Sequence, residues 1–442
     1  MGAKTIRDAI HGDIYLDAHE MEVVDTAPFQ RLRGIKQLGT SSLIFPSATH
    51  TRFEHSLGVC WLAKKMLAAL RNNSGRSELL KEQERMLCVA ALVHDITHIP
   101  FGHTFEDERR IFPRHDENPE RLNYFFNRPP LSEIFDRFGL REEVIGLLDT
   151  KRKTEKTEIG LMREIISGTV CADLLDYLKR DAYFSGLRLD YDDRLYRYLT
   201  VSDGEVVFDL QQNGLFRPDA LSELIHLLRL RYTLTERVYY HHGKVVSGAM
   251  VSRALELALK AKRIRQEELY DLRDDGFLFL LRERSRSDPE TINLIEDLMA
   301  HRFYRCAYLL RPGGIHGAGV GPGIETDLER RFHFNEDGER DSVENELASR
   351  LEIPPAEVFI YCPSARMSMK EAKVKVKVDS GTPVSLSELK YPEVEVLLGK
   401  HRALWRFSVY LRRDRESLID KAGALCEEMI GQRNMLAERS RK

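Results

Sequence analysis

"ALVHDITHIPFGH", residues 91–103, decides how this chain reads. An apolar run ends abruptly in His94, Asp95 and His98, followed by Pro100, Gly102 and His103. Burying an imidazole or a carboxylate is costly unless it is paired or ligates a metal. Polar residues at the edge of a core segment therefore need a purpose. His55, in the amphipathic stretch "EHSLGVCWLAKKMLAAL" (54–70), and Asp173, in a later one, extend the set to two imidazoles and two carboxylates. These come from three separated segments, each predicted helical, which a helical bundle could converge on one divalent ion. A mixed nitrogen and oxygen set suits Mn, Fe, Zn, Mg, Ni or Co and does not choose among them. The absence of thiolate argues against a structural zinc site.

The residues that follow strengthen the reading. A helix predicted over "EQERMLCVAALVHDI" (82–96) puts His98 four residues after His94, on the same face if the helix runs on. There His98 would serve as general acid or as an electrostatic clamp on a phosphate. His103, Glu106 and His115 follow in "GHTFEDERRIFPRHDEN" (102–118), giving four histidines between 94 and 115 flanked by acids. A bound ion would lower the pKa of water and stabilise charge on a phosphoryl group.

Working outward, "IRDAIHGDIYLD" (6–17) reads as a hairpin or extended arm, and "MEVVDTAPFQRLRGIKQLG" (21–39) as helical, with Pro28 near a helix start. Further helical patterns run near 131–149, 159–181, 217–241 and 245–262, and "GEVVFDL" (204–210) is the one clear strand among them. The glycine-rich "PGGIHGAGVGPGIE" (312–325) lacks the Lys-Ser/Thr ending of a phosphate-cradling loop and reads as a connection. "EVFIYC" (357–362) and "KVKVKV" (373–378) read as strands; in the second, valines would pack while lysines form a basic face. "RFSVYLRRDRESLIDKAGALCEEMI" (406–430) reads as a strand followed by a helix. The expected fold is mainly α, a helical bundle over 1–285 with a smaller α+β lobe over 286–442.

Composition excludes several classes. With 442 residues, 42% hydrophobic and 31% charged, and a net charge of -3, no global charge points to nucleic acid or a membrane surface. Cys60, Cys88, Cys171, Cys306, Cys362 and Cys426 are dispersed without a CxxC pair, as expected of reduced thiols in a cytoplasmic protein. No run reaches the length needed to span a bilayer.

Four motifs, "FQRLRGIKQLG", "FPSATHTRFEHSLGV", "HDITHIPFGHTF" and "DLLDYLKRDAYFSG", resemble the HD-domain deoxynucleoside triphosphate triphosphohydrolases. The similarity runs in order from about residue 6 to 260 and continues more loosely through "HRFYRCAYLL", "VFIYCPSAR" and "VYLRRDRESLIDKA". The resemblance implies an HD-domain bundle in which His55, His94, Asp95 and Asp173 ligate the metal. Arg52 then falls on the substrate phosphates, His98 and His103 line the phosphate path, and His115 with Glu106 corresponds to a general-acid relay. Gln37 and Asp181 match residues that hydrogen-bond the sugar 3′-hydroxyl, and Tyr177 matches a tyrosine packed under the deoxyribose. In "LRLRYTLTERVYYHH" (228–242), Arg231 matches a phosphate-binding arginine and Tyr239 a base-packing tyrosine, although a one-residue shift is open there. The implied reaction yields deoxynucleoside and tripolyphosphate.

The departures shape the alternatives. Leu174 stands where the family has a basic residue on the triphosphate, and losing such a contact costs roughly 1.5–3 kcal/mol of binding. Thr97 and Ile99 replace usual glycines, predicting a narrower phosphate pocket. Lys4, Asp25 and Arg33 fit parts of the family's activating-nucleotide site, with Arg7 in place of asparagine, and the resemblance implies a homo-oligomer. One alternative is a phosphoesterase of the same fold acting on another nucleotide or a nucleic-acid end. Another is a regulatory protein that binds single-stranded nucleic acid through the lysine strand.

Overall fold

The computed structural model describes residues 3–75, 83–149, 158–313, 319–321, 323–365, 369–379 and 381–436. The chain is mainly helical, with small sheets and a smaller α+β C-terminal region. It opens with a hairpin of Lys4–Asp8 and Gly12–Leu16, paired from Lys4↔Leu16 to Asp8↔Gly12.

The spine of the bundle is the helix Arg52–Ser74. It starts where the Thr51 amide donates to Glu54 at 2.8 Å and stops at Gly75, whose φ of 66° takes the chain left-handed. Its residues are buried on most sides, from Phe53 and Leu57 to Leu67 and Leu70, so it is a core element and not a surface helix. The helices Glu84–Val93 and Ala172–Phe184 pack against it. Gly58 permits the second of these contacts, because a Cβ there would overlap Asp176 and Arg180.

Several predicted helices are broken. The 82–96 helix ends at Val93, so His94 and Asp95 lie just past its end in a turn. Pro100 excludes helical geometry at the residue before it, and Phe101 and Gly102 take φ of 62° and 56°. The helix-face argument for His98 therefore does not hold; it reaches the site through a loop. The 159–181 stretch splits into Glu158–Ser167 and Ala172–Phe184, and 131–149 into Leu131–Phe138 and Arg141–Leu148 around Gly139, φ 66°. The 217–241 stretch is Pro218–Leu234 followed by a π-helical turn, Thr235–Tyr239.

"GEVVFDL" is a strand, Glu205–Asp209, but it has an unpredicted partner, Leu199–Ser202. The turn between them is Asp203-Gly204, both at positive φ, a strong hairpin signal in the sequence. Of "KVKVKV", Lys375–Lys377 forms the strand and runs parallel to Glu205–Asp209, with Phe208 opposite Val376. The expected alternation is present: Val374 and Val376 are buried, while Lys375 and Lys377 are half-buried. A three-stranded antiparallel sheet of Arg305–Leu310, Phe407–Leu411 and Val358–Tyr361 has Phe407–Leu411 at its centre. The helices Glu339–Leu351 and Ile419–Ile430 contribute to the core on which it sits, around Trp405, Phe332 and Phe407. Residues 314–318 and 322 of the glycine-rich connection lie outside the described residues.

A buried ionic network ties this sheet to the bundle. Arg109 bonds Glu344 and Glu256 at 2.7 Å each and the Ile360 carbonyl at 2.9 Å, while Arg340 reaches Glu256 at 2.9 Å. All six cysteines are free thiols.

Candidate metal and phosphate site

The three ligand-bearing segments converge. Nε2 of His55 lies 3.1 Å from Asp173 and 3.8 Å from Asp95, and Nε2 of His94 lies 3.6 Å from Asp95 and 4.0 Å from Asp173. His55, His94 and Asp173 bring one ligand atom each within 4.8 Å of one another. The other ring nitrogens are engaged on the protein side, Nδ1 of His94 with the Ala91 carbonyl at 2.8 Å and Nδ1 of His55 with Asp176 at 2.7 Å. Such second contacts orient each ring so that Nε2 is the nitrogen that would ligate an ion.

Electrostatics make the site a cation sink. Burial opposes charge on His55, yet hydrogen bonds to Asp173 and Asp176 push its imidazole up to about 10. Burial likewise opposes charge on Asp173, but the His55 hydrogen bond prevails and pulls it to about 2. His94 is lowered, chiefly by burial, so its ring is neutral, and its buried Nε2 has no hydrogen-bond partner. A neutral imidazole with an orphaned lone pair among carboxylates fits a divalent ion held by His55, His94, Asp95 and Asp173.

Arg52 stands beside this cluster, its Nη1 2.5 Å from Asp95 and its buried Nε without a partner. Its backbone is set by an antiparallel bridge, in which the Arg52 amide donates to the Ile35 carbonyl at 2.9 Å and the Gln37 amide to the His50 carbonyl at 3.0 Å. Gly102 keeps Arg52 in place by lacking a side chain, since a Cβ there would overlap the guanidinium.

His98, His103, Glu106 and His115 form a second cluster. His98 stacks on His115 with ring centroids 3.6 Å apart and places Nε2 3.2 Å from Asp95. Burial, helped by Arg52, pushes His98 well below its usual value, which makes it a neutral ring. Glu106 receives His103 Nδ1 at 2.9 Å, His115 Nδ1 at 3.4 Å and Arg121 at 2.9 Å. Its charge survives burial because His115 and His103 hold the carboxyl well below the usual range. His103 and Asp173, with side chains 39% and 28% exposed, mark the open side of the site.

The residues that the resemblance assigns to the sugar also gather. Asp181 is bonded on both oxygens, by His50 Nε2 at 2.8 Å and by the Tyr239 hydroxyl at 2.6 Å. Arg231 lies over the rings of Tyr177 and Tyr239, at 5.2 and 5.0 Å, with Glu371 3.5 Å from its Nε. Tyr239 thus turns its hydroxyl to Asp181. Gln37 leaves a buried Oε1 unpaired. Thr97 and Ile99 are buried in the loop wall. Of the three positions that the resemblance matches to an activating-nucleotide site, Lys4 and Asp25 meet at 3.6 Å and Arg33 stacks over Phe53 at 3.4 Å.

Sequence reasoning missed the supporting shell. Asp176 joins His55, His11 at 2.6 Å and Arg180 at 2.8 Å, and Arg180 continues to Asp8 at 2.8 Å, so the N-terminal hairpin braces a candidate ligand. Asp176 follows Asp173 by three residues, a helical spacing that was the available signal. Arg31 bonds the carbonyls of Ile96 and His98 at 2.7 and 2.8 Å, and Asp274 accepts the Phe101 and Lys36 amides at 2.8 and 3.0 Å. These hold the His94–His103 loop, and nothing local in the sequence announces them.

Comparison with known proteins follows the same lines. Residues 52–181 match the HD domain and residues 190–429 match the HD associated region. The chain is similar to an uncharacterized protein of Methanocaldococcus jannaschii, 33% identical over 311 residues, covering 68% of this chain and 60% of that protein. It is 31% identical over 249 residues to the deoxynucleoside triphosphate triphosphohydrolase SAMHD1 homolog of Dictyostelium discoideum, covering 54% and 46% of the two chains. The matched stretch thus spans less than two thirds of either relative. A crystal structure of a hypothetical protein from Aquifex aeolicus shares the fold, with a TM-score of 0.68, 22% identity, and coverage of 95% of this chain and 99% of that one. No helix among the described residues is long and apolar enough to cross a membrane.

Proposed function

This chain belongs to the HD-domain proteins that carry an HD-associated region, and on that premise we propose that it is a metal-dependent phosphohydrolase cleaving deoxynucleoside triphosphates to deoxynucleoside and tripolyphosphate. One observation carries the reading: the orphaned Nε2 of neutral His94, facing Asp95 and Asp173 beside His55. When bound there, a divalent ion supplies Lewis acidity toward water and the phosphoryl oxygens. Arg52 offers its unpaired Nε to the charge that develops on phosphate, and Asp95 fixes its orientation. His115, with Nδ1 toward ionised Glu106, is suited to hold the proton that the departing 5′-oxygen needs. Tyr177 and the Asp181–Tyr239 pair would orient the sugar, with Gln37 supplying an acceptor.

Asp95→Ala tests the assignment. It should lose bound metal and dNTP hydrolysis together; a variant that keeps its activity removes the site. The protein acting as a homo-oligomer activated by a guanine nucleotide belongs to the same proposal. Sizing with and without GTP or dGTP, read against turnover, tests that part.

A second reading, a phosphoesterase on a different nucleotide or a nucleic-acid end, is favoured by Leu174, which is fully buried in the core. Comparing dNMP, dNTP and single-stranded DNA as substrates separates the two.

A further inference from the structure

A triphosphate needs cations beyond the reacting phosphorus, and the segment after Asp173 supplies none. Leu174 is buried. Lys179 is committed to Asp190 at 2.9 Å, and Arg180 is locked between Asp176 and Asp8. Arg52 is held by Asp95, at the inner end of the site.

We propose that Lys370, delivered from the C-terminal part of the chain, binds the outer phosphates of a polyphosphate substrate at this site. The inference rests on the phosphohydrolase reading and assigns the contact that Leu174 cannot make.

Three placements carry it. Lys370 opens the short 3-10 turn Lys370–Lys373, which is pinned on both sides of the lysine: Met369 and Glu371 are each 2% exposed. Glu371 reaches Arg231 at 3.5 Å, and Arg231 covers Tyr177, one helical turn beyond Asp173. The turn is therefore fastened to the sugar side of the site while Lys370 itself is exposed. Lys370 makes no ion pair with any described residue, and through Glu371, Arg231 and Tyr177 its turn is joined to the helix Ala172–Phe184 that carries Asp173. A solvated surface lysine needs no such anchoring. Here an exposed ammonium stands on a clamped turn that Arg231 ties to the helix carrying Asp173. The lysine strand that follows, Lys375–Lys377, keeps the turn in register through its pairing with Glu205–Asp209.

The test uses the metal-loaded full chain and two probes, inorganic tripolyphosphate and inorganic phosphate, titrated calorimetrically. Lys370→Ala should weaken tripolyphosphate about ten- to a hundredfold, the usual worth of a charge-assisted contact, and leave monophosphate affinity and thermal stability unchanged. Lys370→Arg should retain most of the affinity. Lys373→Ala, at the other exposed end of the same turn, should change neither probe. Unaltered tripolyphosphate binding in Lys370→Ala, or an equal loss in Lys373→Ala, overturns the inference. Turnover of the four dNTPs by the wild type is read alongside. Its absence with tripolyphosphate binding intact removes the proposed function and keeps the contact. Turnover that Lys370→Ala leaves unaltered removes the contact and keeps the function, and no tripolyphosphate binding by the wild type overturns both.

Discussion

Asp176 accepts a hydrogen bond from Nδ1 of His55 at 2.7 Å, on the side of the ring facing away from Asp173. The carboxylate stays ionised because Arg180 and His11 outweigh the cost of its burial. It thereby holds the Nδ1 proton of His55 and leaves Nε2 as the nitrogen that would give up its proton to an ion. Asp176→Asn should lower metal affinity about ten- to a hundredfold, as loss of a second-layer partner does. Metal titration followed by inductively coupled plasma analysis checks this; wild-type affinity in the variant would show that the contact is only structural.

Gly102 offers a test of Arg52 that leaves its charge alone. Its φ of 56° and the proximity of the guanidinium both exclude a Cβ. Gly102→Ala should destabilise by about 1 kcal/mol or more and reduce kcat by displacing Arg52 from Asp95. Denaturant melts and dNTP kinetics measure the two effects separately.

Glu256 sets an acid limit on stability. Burial opposes its charge, but Arg109, Arg253 and Arg340 hold the carboxyl far below its ordinary 4.5. A depressed carboxylate stabilises fully above its unfolded pKa and loses that contribution as pH falls toward the folded value. The arginines remain charged throughout, so unfolding free energy should fall below about pH 4.5. Glu256→Gln should cost about 3–5 kcal/mol at neutral pH, by leaving buried arginine charge uncompensated, and should flatten the acid slope. Urea unfolding across that range is the measurement.

Tyr177 sits one turn past Asp173 with Arg231 over its ring. If it closes the space under the sugar, Tyr177→Ala should admit a 2′-hydroxyl and narrow the preference for dNTP over NTP about tenfold or more. Paired kcat/KM values for dGTP and GTP test it; an unaltered ratio would place discrimination elsewhere.

Much of this was legible in the sequence, and the reason is physical. His55, His94, Asp95 and Asp173 are polar residues in core segments, and the helices on either side kept their apolar spacing, so the bundle and the cluster these four side chains form could be read together. What stayed hidden depends on contacts between distant segments. His11 meets Asp176 across 165 residues and Arg31 meets His98 across 67, and neither pair leaves a local pattern. Helix ends were missed where apolar periodicity runs through a break, as at Val93 and after Ser167. The strand Leu199–Ser202 differs, because its Asp203-Gly204 turn is a local hairpin signal.

The most direct test of the central claim is the product of the reaction. Metal-loaded protein, with Mn, Mg, Fe or Co and with or without GTP or dGTP, is incubated with each dNTP, and the products are separated by anion exchange. The account predicts deoxynucleoside and tripolyphosphate in equal amounts, both abolished by Asp95→Ala. Release of dNMP with pyrophosphate, or no turnover under any of these conditions, would contradict it.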